Sequence, residues 1–240
     1  AAVQSVSYTW DTSGQTIAPS TPVYFSWQLS DQAGNKLRTP EELVYYDDIR
    51  FDWQELSSPG LILRWYEGEA EFGRYVFEVA NLALEQIKSQ TEQDLDFPVI
   101  ILLYANKEDF DSWHFYVEDW VGGQAFPALG VTAQIVPSST HPGWIQDVIP
   151  HEIAHLFFSQ VINTDIYFWP TWLDEGLAQY YEFSPNDAAL EHAAQAAKEG
   201  ELLPLVLISG SFGSDPEQVR LAYDQSLAVV VYMLENWGDD

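Results

Sequence analysis

Cysteine is absent from this sequence of 240 residues, so the chain can form neither disulfide bonds nor thiolate metal ligands. Basic residues are scarce, because Lys and Arg number 9 against 37 Asp and Glu, which gives a formal net charge of −28. Binding to nucleic acid or to an anionic membrane surface requires basic side chains opposite the phosphates. We therefore expect neither kind of partner. A tightly bound metal would have to use carboxylates and some of the 5 His residues.

Long apolar runs are also missing. No segment of the sequence approaches the roughly 18 consecutive apolar residues of a membrane span, so we expect no membrane insertion within this segment. Core-forming residues are abundant, since 47% of the chain is hydrophobic and 15% is aromatic, which is the composition of a folded protein rather than a disordered one. The length suits one sizeable domain with at most a small second one.

The first part of the chain has the pattern of β structure. Residues 3–53 contain clusters of β-branched and aromatic residues, separated by turn-forming segments at 11–14 and 31–35. They predict three or four strands, which form either a small module or part of a larger sandwich. The Ser-Ser-Pro-Gly segment that follows indicates a boundary. We predict a small β module at 1–58 and a second domain at 59–240.

The pattern changes after this boundary. Residues 69–90 repeat apolar side chains at helical spacing, and the PVIILLY run at 98–104 suits a buried central strand. Further strands are predicted at 61–66 and 130–136. Four more helices are predicted at 147–162, 171–183, 187–199 and 215–237. Mixed strands and one helix, followed by a mostly helical part, indicate an α+β fold.

One pentapeptide in the predicted helix 147–162 has the spacing of a metal site, namely His151-Glu152-Ile153-Ala154-His155. Residues four apart lie on the same face of a helix, so both imidazoles can bind one ion. Glu152 lies one step round the helix, where its carboxylate reaches an attacking water rather than the metal. This is the pattern of two metal ligands and a general base. A helix that carries two exposed His residues is the alternative.

A second segment offers a third ligand. A catalytic zinc site takes three protein ligands and leaves one position open. Glu175 follows His155 by 20 positions, in the WLDEGLA segment that we predict to be helical. A helix–loop–helix hairpin would bring its carboxylate to the ion. The alternative is a solvated carboxylate on an amphipathic helix.

Together, HEIAH and WLDEGLA resemble the gluzincin metallopeptidases, the zincin group that includes thermolysin and aminopeptidase N. The sequence is most similar to short bacterial proteins with a peptidase-MA-like domain, whose pattern is HE-x-x-H followed by W-L-N-E-G-x-A. The resemblance covers residues 60–237 and implies a zincin-type domain. It also implies a Zn²⁺ ion bound by His151, His155 and Glu175, with Glu152 as the catalytic base. Two departures are visible, because an Asp precedes Glu175 where Asn is common, and the spacer is one residue longer than in many aminopeptidase-like members.

The resemblance assigns a role to Tyr223 as well. In aminopeptidase-N-like enzymes, a Tyr at the corresponding place stabilises the oxyanion of the tetrahedral intermediate. A phenol O–H aimed at a developing oxyanion lowers the barrier to hydrolysis. We therefore take Tyr223 as a catalytic candidate, with an ordinary core aromatic residue as the alternative in a chain of 13 Tyr.

Other polar residues are candidates for holding the ligands. Glu182 and Gln179 follow Glu175 by seven and four positions, so either can share its helix face and accept the second N–H of an imidazole. Simple solvation is the alternative for both. The remaining histidines are not at ligand spacing and are predicted to be structural or surface residues: His114, His141 and His192.

The strand predicted at 130–136 is a candidate for lining the cleft. In gluzincins an edge strand in this region pairs with the backbone of the substrate. Aminopeptidases carry a G-x-M-E-N motif on it, whose Glu holds the free amine of the substrate. Here the segment is Gly130-Val131-Thr132-Ala133-Gln134, without that Glu. The resemblance therefore does not extend to exopeptidase specificity.

The function that the resemblance implies is that of a zinc metallopeptidase, which hydrolyses peptide bonds of a peptide or protein substrate with a metal-activated water. A catalytically weak or inactive zincin-fold binding module on the cell surface is an alternative. A zinc hydrolase that acts on another bond is a third, because the motif determines how water is activated and not which bond is cleaved. Such family members are mostly exported in bacteria, and a chain that begins with Ala1 suits a processed form, so we expect a secreted or cell-envelope location.

Overall fold

The computed structural model of the protein describes residues 5–12, 17–113, 123–162 and 169–238. The predicted α+β class is confirmed, with a small β module before a mixed sheet and helices. The strands in the described residues are β1 (Thr21–Phe25), β2 (Gln28–Ser30), β3 (Lys36–Arg38), β4 (Glu42–Tyr46), β5 (Gln54–Ser58), β6 (Leu61–Trp65), β7 (Val99–Tyr104), β8 (Gly123–Phe126) and β9 (Val131–Ile135). The helices there are α1 (Ala70–Thr91), α2 (Lys107–Asp111), α3 (Pro142–Val161), α4 (Thr171–Tyr180), α5 (Asp187–Glu199) and α6 (Pro216–Trp237).

The central sheet has five strands in the order β5-β6-β7-β9-β8. β6, β7 and β9 are parallel to one another, whereas β5 and β8 are antiparallel edge strands. The parallel pair β6–β7 requires a crossover connection, which α1 supplies. All six residues of β7 are buried, as expected for a central strand that is covered on both faces.

Helices α1 and α3 cover one face of this sheet. The buried residues of α1 recur every three or four positions from Gly73 to Ile87, which gives the helix one apolar stripe. This stripe packs against the inward side chains of β6 and β7 and against α3 in a single core cluster. Helix α1 ends at Thr91, because the next residue, Glu92, has a left-handed φ of 53° that stops the helical repeat. The fold thus places α3, which carries the predicted metal ligands, directly on the sheet.

The opposite face of the sheet is covered by an aromatic cluster, which consists of Phe51, Trp53, Tyr66, Tyr104 and Phe110. Asp48 lies at its edge and accepts hydrogen bonds from the Tyr104 hydroxyl at 3.1 Å and from Arg50 Nε at 2.7 Å. Burial opposes the ionisation of Asp48, but these hydrogen bonds outweigh it and lower its pKa below the ordinary 3.8. The charge of Asp48 therefore stabilises the packing of the segment that precedes β5.

Replacing Asp48 by Asn is expected to lower the free energy of unfolding at neutral pH by about 1–2 kcal/mol, because the charged hydrogen bonds weaken. The lowered pKa means that this stabilisation is present above the ordinary pKa and is lost as the pH falls through the folded value. Urea unfolding at neutral pH and at about pH 2.5 measures it, with the exposed Asp52→Asn as a matched control. A difference between wild type and Asp48→Asn that is equal at both pH values would contradict this account.

The N-terminal strands form two separate antiparallel pairs, β1 with β4 and β2 with β3, and most of their side chains are exposed. Arg64 of β6 connects this module to the sheet, because its guanidinium donates to Ser20 Oγ at 2.6 Å and to Asp47 Oδ1 at 2.7 Å. The predicted boundary at Ser57–Gly60 lies at the turn that joins the antiparallel strands β5 and β6. The division into two domains stays a prediction. None of the described helices has both the length and the apolar character that a membrane crossing requires.

Candidate functional site

Helix α3 carries the His-Glu-x-x-His segment. It begins at Pro142, which suits the first helical position because it lacks the N–H that would remain unpaired there. His141 precedes it and caps the helix, since its Nδ1 accepts the N–H of Gly143 at 3.1 Å. The predicted structural role of His141 is therefore confirmed. About two and a half turns later, α3 presents His151 and His155 on one face.

A proline inside α3 connects the site to the segment after α4. Pro150 has no N–H, so the carbonyl of Gln146 loses its helical partner. That carbonyl accepts the N–H of Phe183 instead, at 3.1 Å. The same segment is tied again at Ser184, whose N–H donates to Asp147 Oδ1 at 3.1 Å. These bonds hold Glu182, the residue before Phe183, next to His151, the first histidine of the site.

Three candidate ligand atoms converge between α3 and α4. His151 Nε2 lies 3.1 Å from His155 Nε2, and Glu175 Oε2 lies 3.4 Å from the first nitrogen and 3.6 Å from the second. All three side chains are partly buried. Glu175 Oε2 is enclosed and accepts no well-formed hydrogen bond from the described residues. Of the described residues, these three form the group of His and carboxylate side chains that can hold a metal ion.

Each imidazole has a carboxylate on its other nitrogen. His151 Nδ1 lies 2.8 Å from Glu182 Oε1, and since a carboxylate only accepts, the imidazole donates and leaves Nε2 as the atom that faces the site. His155 Nδ1 lies 2.9 Å from Asp174 Oδ1. The expected contact of Glu182 is thus present. Gln179, the other candidate, makes no such bond, because its Oε1 has no hydrogen-bond partner in the described part of the chain.

The charges of the site are strongly coupled. Burial alone would lower the pKa of His151, but its contacts with Glu175 and Glu182 outweigh burial and raise that pKa to about 9. The pKa of His155 is raised well above its ordinary value, because the Asp174 and Glu175 carboxylates likewise outweigh burial. Burial also opposes the ionisation of Glu175, yet the two imidazoles lower its pKa to about 2. Any metal that binds here must displace the imidazole protons, so its affinity should rise with pH.

A glycine allows α6 to approach the site. A Cβ on Gly176 would lie 2.6 Å from the carbonyl oxygen of Ser226, so only glycine permits this contact between α4 and α6. Tyr223, one turn before Ser226, is thereby brought near Glu175. The pKa of the Tyr223 phenol is raised above its ordinary value. Burial is the largest cause, and the charge of Glu175 and a side-chain hydrogen bond with Glu175 add to it. Its ring is braced edge-on by Phe212, with 4.9 Å between ring centroids. The phenol keeps its proton at neutral pH and can donate it in a hydrogen bond.

Replacing Gly176 by Ala is expected to lower the free energy of unfolding by about 1–3 kcal/mol, the usual cost of overpacking, because the added methyl group would clash with the α6 backbone. Thermal or urea unfolding measures this effect. Gly210→Ala is the matched control, since nothing lies within 4 Å of a Cβ at that position. Equal stability of the two variants would show that α4 and α6 are not in this close contact.

The structure corrects the prediction for the strand at 130–136. That strand, β9, is not an edge strand, because it pairs with β7 on one side and β8 on the other. The edge strand is β8, which we did not predict. Thr132 of β9 contacts the site, because its Oγ1 lies 3.2 Å from Glu152 Oε2. The strand therefore contributes to the site through a side chain rather than through a free backbone edge.

The two other histidines do not join the cluster. His192 of α5 pairs through Nδ1 with Asp224 Oδ2 of α6 at 2.5 Å, a contact between helices that agrees with the predicted structural role. His114 lies outside the described residues.

Three residues that contribute to the site were not identified from the sequence, namely Pro150, Asp174 and Thr132. A proline directly before the His-Glu-x-x-His segment, inside a predicted helix, was a usable signal for a displaced hydrogen bond.

Comparison with known proteins points to one family. A sequence model described as the peptidase MA superfamily matches residues 79–240, which is more than half of the chain. The matched range contains all of the residues that build the site between α3, α4, α6 and β9. No curated protein matches the chain.

Proposed function

Because the chain belongs to the peptidase MA superfamily, we propose that it is a zinc-dependent peptidase of the gluzincin type, which hydrolyses peptide bonds in a peptide or protein substrate. The observation that carries the proposal is the convergence of His151 Nε2, His155 Nε2 and Glu175 Oε2, at 3.1, 3.4 and 3.6 Å from one another. Ligand atoms at 2.0–2.1 Å from a tetrahedral zinc ion are separated by about 3.3–3.4 Å. Both the donor set and its spacing thus fit zinc.

The proposed ligands are His151, His155 and Glu175. A zinc ion bound by them would polarise the scissile carbonyl and acidify the attacking water. Glu182 orients the His151 imidazole by accepting from its Nδ1, and Asp174 lies 2.9 Å from His155 Nδ1 as an ion-pair partner, so that both Nε2 atoms face the proposed ion. This arrangement supports three protein ligands with one further position open to the substrate.

Two side chains of the site carry the proton chemistry in this proposal. Glu152 accepts the proton of the attacking water and passes it to the leaving amine, as a general base and then a general acid. Tyr223 remains protonated at neutral pH and donates a hydrogen bond to the oxyanion that forms from the scissile carbonyl. Its proximity to Glu175, which Gly176 permits, supports this assignment.

The substrate is expected to bind along the edge strand β8. An unpaired strand edge offers backbone donors and acceptors to an extended peptide. β8 occupies the outer position of the sheet beside β9, whose Thr132 contacts the proposed base. The extracytoplasmic location that the sequence resemblance suggests stays a prediction.

Hydrolysis of a fluorescently labelled unfolded protein tests the proposed function. We expect activity that 1,10-phenanthroline abolishes and added zinc restores. Zinc bound at one equivalent without hydrolysis would favour the binding-module alternative. Hydrolysis of esters or other small substrates, without cleavage of unfolded proteins or peptides, would favour a non-peptide zinc hydrolase. Activity that persists after removal of all metal would contradict the proposal.

A further inference from the structure

The face of β9 that packs toward α3 is unexpectedly polar. The strands β6 and β7 present only apolar side chains to that core cluster, namely Leu61, Leu63, Trp65, Val99, Ile101 and Leu103. On β9, by contrast, Val131 and Ala133 pack in the aromatic cluster on the other face, so Thr132 and Gln134 point toward α3. Thr132 and Gln134 are 0% and 4% exposed. Polar groups buried this deeply destabilise a fold unless they are hydrogen-bonded.

Thr132 and Gln134 satisfy one another and reach the proposed base. Gln134 Nε2 donates to Thr132 Oγ1 at 2.9 Å. The single hydroxyl hydrogen of Thr132 is then available for one acceptor, either Glu152 Oε2 at 3.2 Å or the carbonyl of Gln124 at 3.4 Å. The carboxylate is both nearer and negatively charged, so it is the stronger acceptor. The hydrogen bonds therefore run from Gln134 through Thr132 to Glu152.

A glycine on the edge strand keeps this arrangement in place. Gly123 of β8 lies opposite Gln134, and a Cβ at Gly123 would be 1.8 Å from Gln134 Oε1. Any other residue at this position would displace the amide. The Gln134 side chain thus occupies the space beside Gly123 that a Cβ atom would otherwise fill. Its amide nitrogen points at Thr132 Oγ1.

We infer that Thr132, oriented by Gln134, is a positioning residue that holds the Glu152 carboxylate for proton transfer. The inference rests on the proposed function, because it takes Glu152 as the base. A hydrogen bond to Oε2 fixes the rotamer of the carboxylate and leaves Oε1 to accept the proton of the attacking water. Correct placement of a catalytic group supplies part of the rate of an enzyme, so its loss reduces turnover more than substrate binding.

The first test compares Thr132→Val, which keeps the shape but loses the hydroxyl, with Thr132→Ser, which keeps the hydroxyl. We expect Thr132→Val to lower kcat about 10–100-fold, with KM within about threefold of wild type. Thr132→Ser should recover most of kcat. Thr21→Val in β1, outside the five-stranded sheet, is the matched control for the loss of a Thr hydroxyl. If Thr132 had a purely structural role, Thr132→Val would lower the melting temperature without reducing kcat more than it changes KM.

A double-mutant cycle tests the role of Gln134. Gln134→Met keeps the length of the side chain but removes the donor to Thr132, and we expect a smaller reduction of kcat than for Thr132→Val. Because both residues act through the same hydrogen bond to Glu152, the double variant should be no slower than Thr132→Val alone. If the kcat of the double variant fell by the product of the two single reductions, the inferred series of hydrogen bonds from Gln134 through Thr132 to Glu152 would be overturned. A Gln134→Met variant with the kcat of wild type would overturn it as well.

A crystal structure gives a readout that does not depend on activity. In Thr132→Val the Glu152 carboxylate should occupy another rotamer or several, whereas in Thr132→Ser it should remain as in wild type. An unchanged carboxylate in Thr132→Val, or a wild-type kcat in that variant, overturns the positioning role while leaving the peptidase assignment intact. Absence of chelator-sensitive hydrolysis in the wild-type protein would instead count against the proposed function, and the structural comparison would still decide whether Thr132 holds Glu152.

Discussion

Replacing Glu152 by Gln is expected to reduce peptide hydrolysis by about 10²–10⁴-fold while zinc binding is retained. The amide has the size of the carboxylate but cannot accept the water proton. Glu152 is not among the three converging ligand atoms, so the affinity for zinc should remain close to that of wild type. Thr132 can still donate to the amide oxygen, so the side chain should stay in place. Steady-state kinetics and the zinc content of the same preparation measure both parts.

Glu78→Gln is the matched control, because Glu78 is an exposed carboxylate on α1. That variant should have the kinetics of wild type. A Glu152→Gln variant that keeps its activity would remove Glu152 from the role of base. A variant that loses zinc together with activity would indicate that Glu152 acts through metal binding, which the positions of the ligand atoms do not support.

Replacing Glu175 by Gln is expected to weaken zinc binding more than about 100-fold, which is the upper end of the effect of residues that merely orient a ligand. The carboxylate supplies the negative charge among the three ligands, and its Oε2 lies 3.4 Å from His151 Nε2 and 3.6 Å from His155 Nε2. Hydrolysis should fall in parallel and recover in part at high zinc concentration. Competition with a chromophoric chelator measures the affinity.

The control for this prediction is Glu191→Gln, an exposed carboxylate on α5. It should bind zinc as wild type does. If Glu175→Gln also bound zinc with wild-type affinity, the third ligand would have to be another group, and the carboxylate of Asp174 would be the nearest candidate because it already contacts His155. If affinity fell but activity did not recover at high zinc, Glu175 would have a role beyond holding the ion.

The elements that could be predicted from the sequence are those whose pattern is long and locally determined. The apolar stripe of α1 and the continuous apolar run of β7 each specify an element without reference to the rest of the chain. The edge strand β8, with the sequence GQAF, was missed because it is only four residues long and has no β-branched residue. β8 forms a strand because it pairs with β9. That pairing is a tertiary contact that the local sequence does not indicate, so β9 was wrongly taken as the edge strand of the sheet.

The same distinction applies to the candidate site. His151 and His155 share a face because they are four residues apart in one helix, which is local geometry. The approach of Glu175 depends on how α4 packs on α3, so its spacing from His155 made a helix–loop–helix hairpin possible, and the resemblance to a family supported that choice. The contacts of Thr132 with Glu152, and of Phe183 with the carbonyl freed by Pro150, join segments that are 20 or more residues apart. No periodicity or spacing in the sequence indicates such pairs.

The most direct test of the zinc assignment is a crystal structure of the zinc-loaded protein, with diffraction data collected on both sides of the zinc absorption edge. We predict one anomalous peak between α3 and α4, about 2.0–2.2 Å from His151 Nε2, His155 Nε2 and a Glu175 carboxylate oxygen. The Tyr223 hydroxyl should face the fourth position of that ion. An ion bound by other residues, or no peak at this place at full zinc occupancy in solution, would contradict the account.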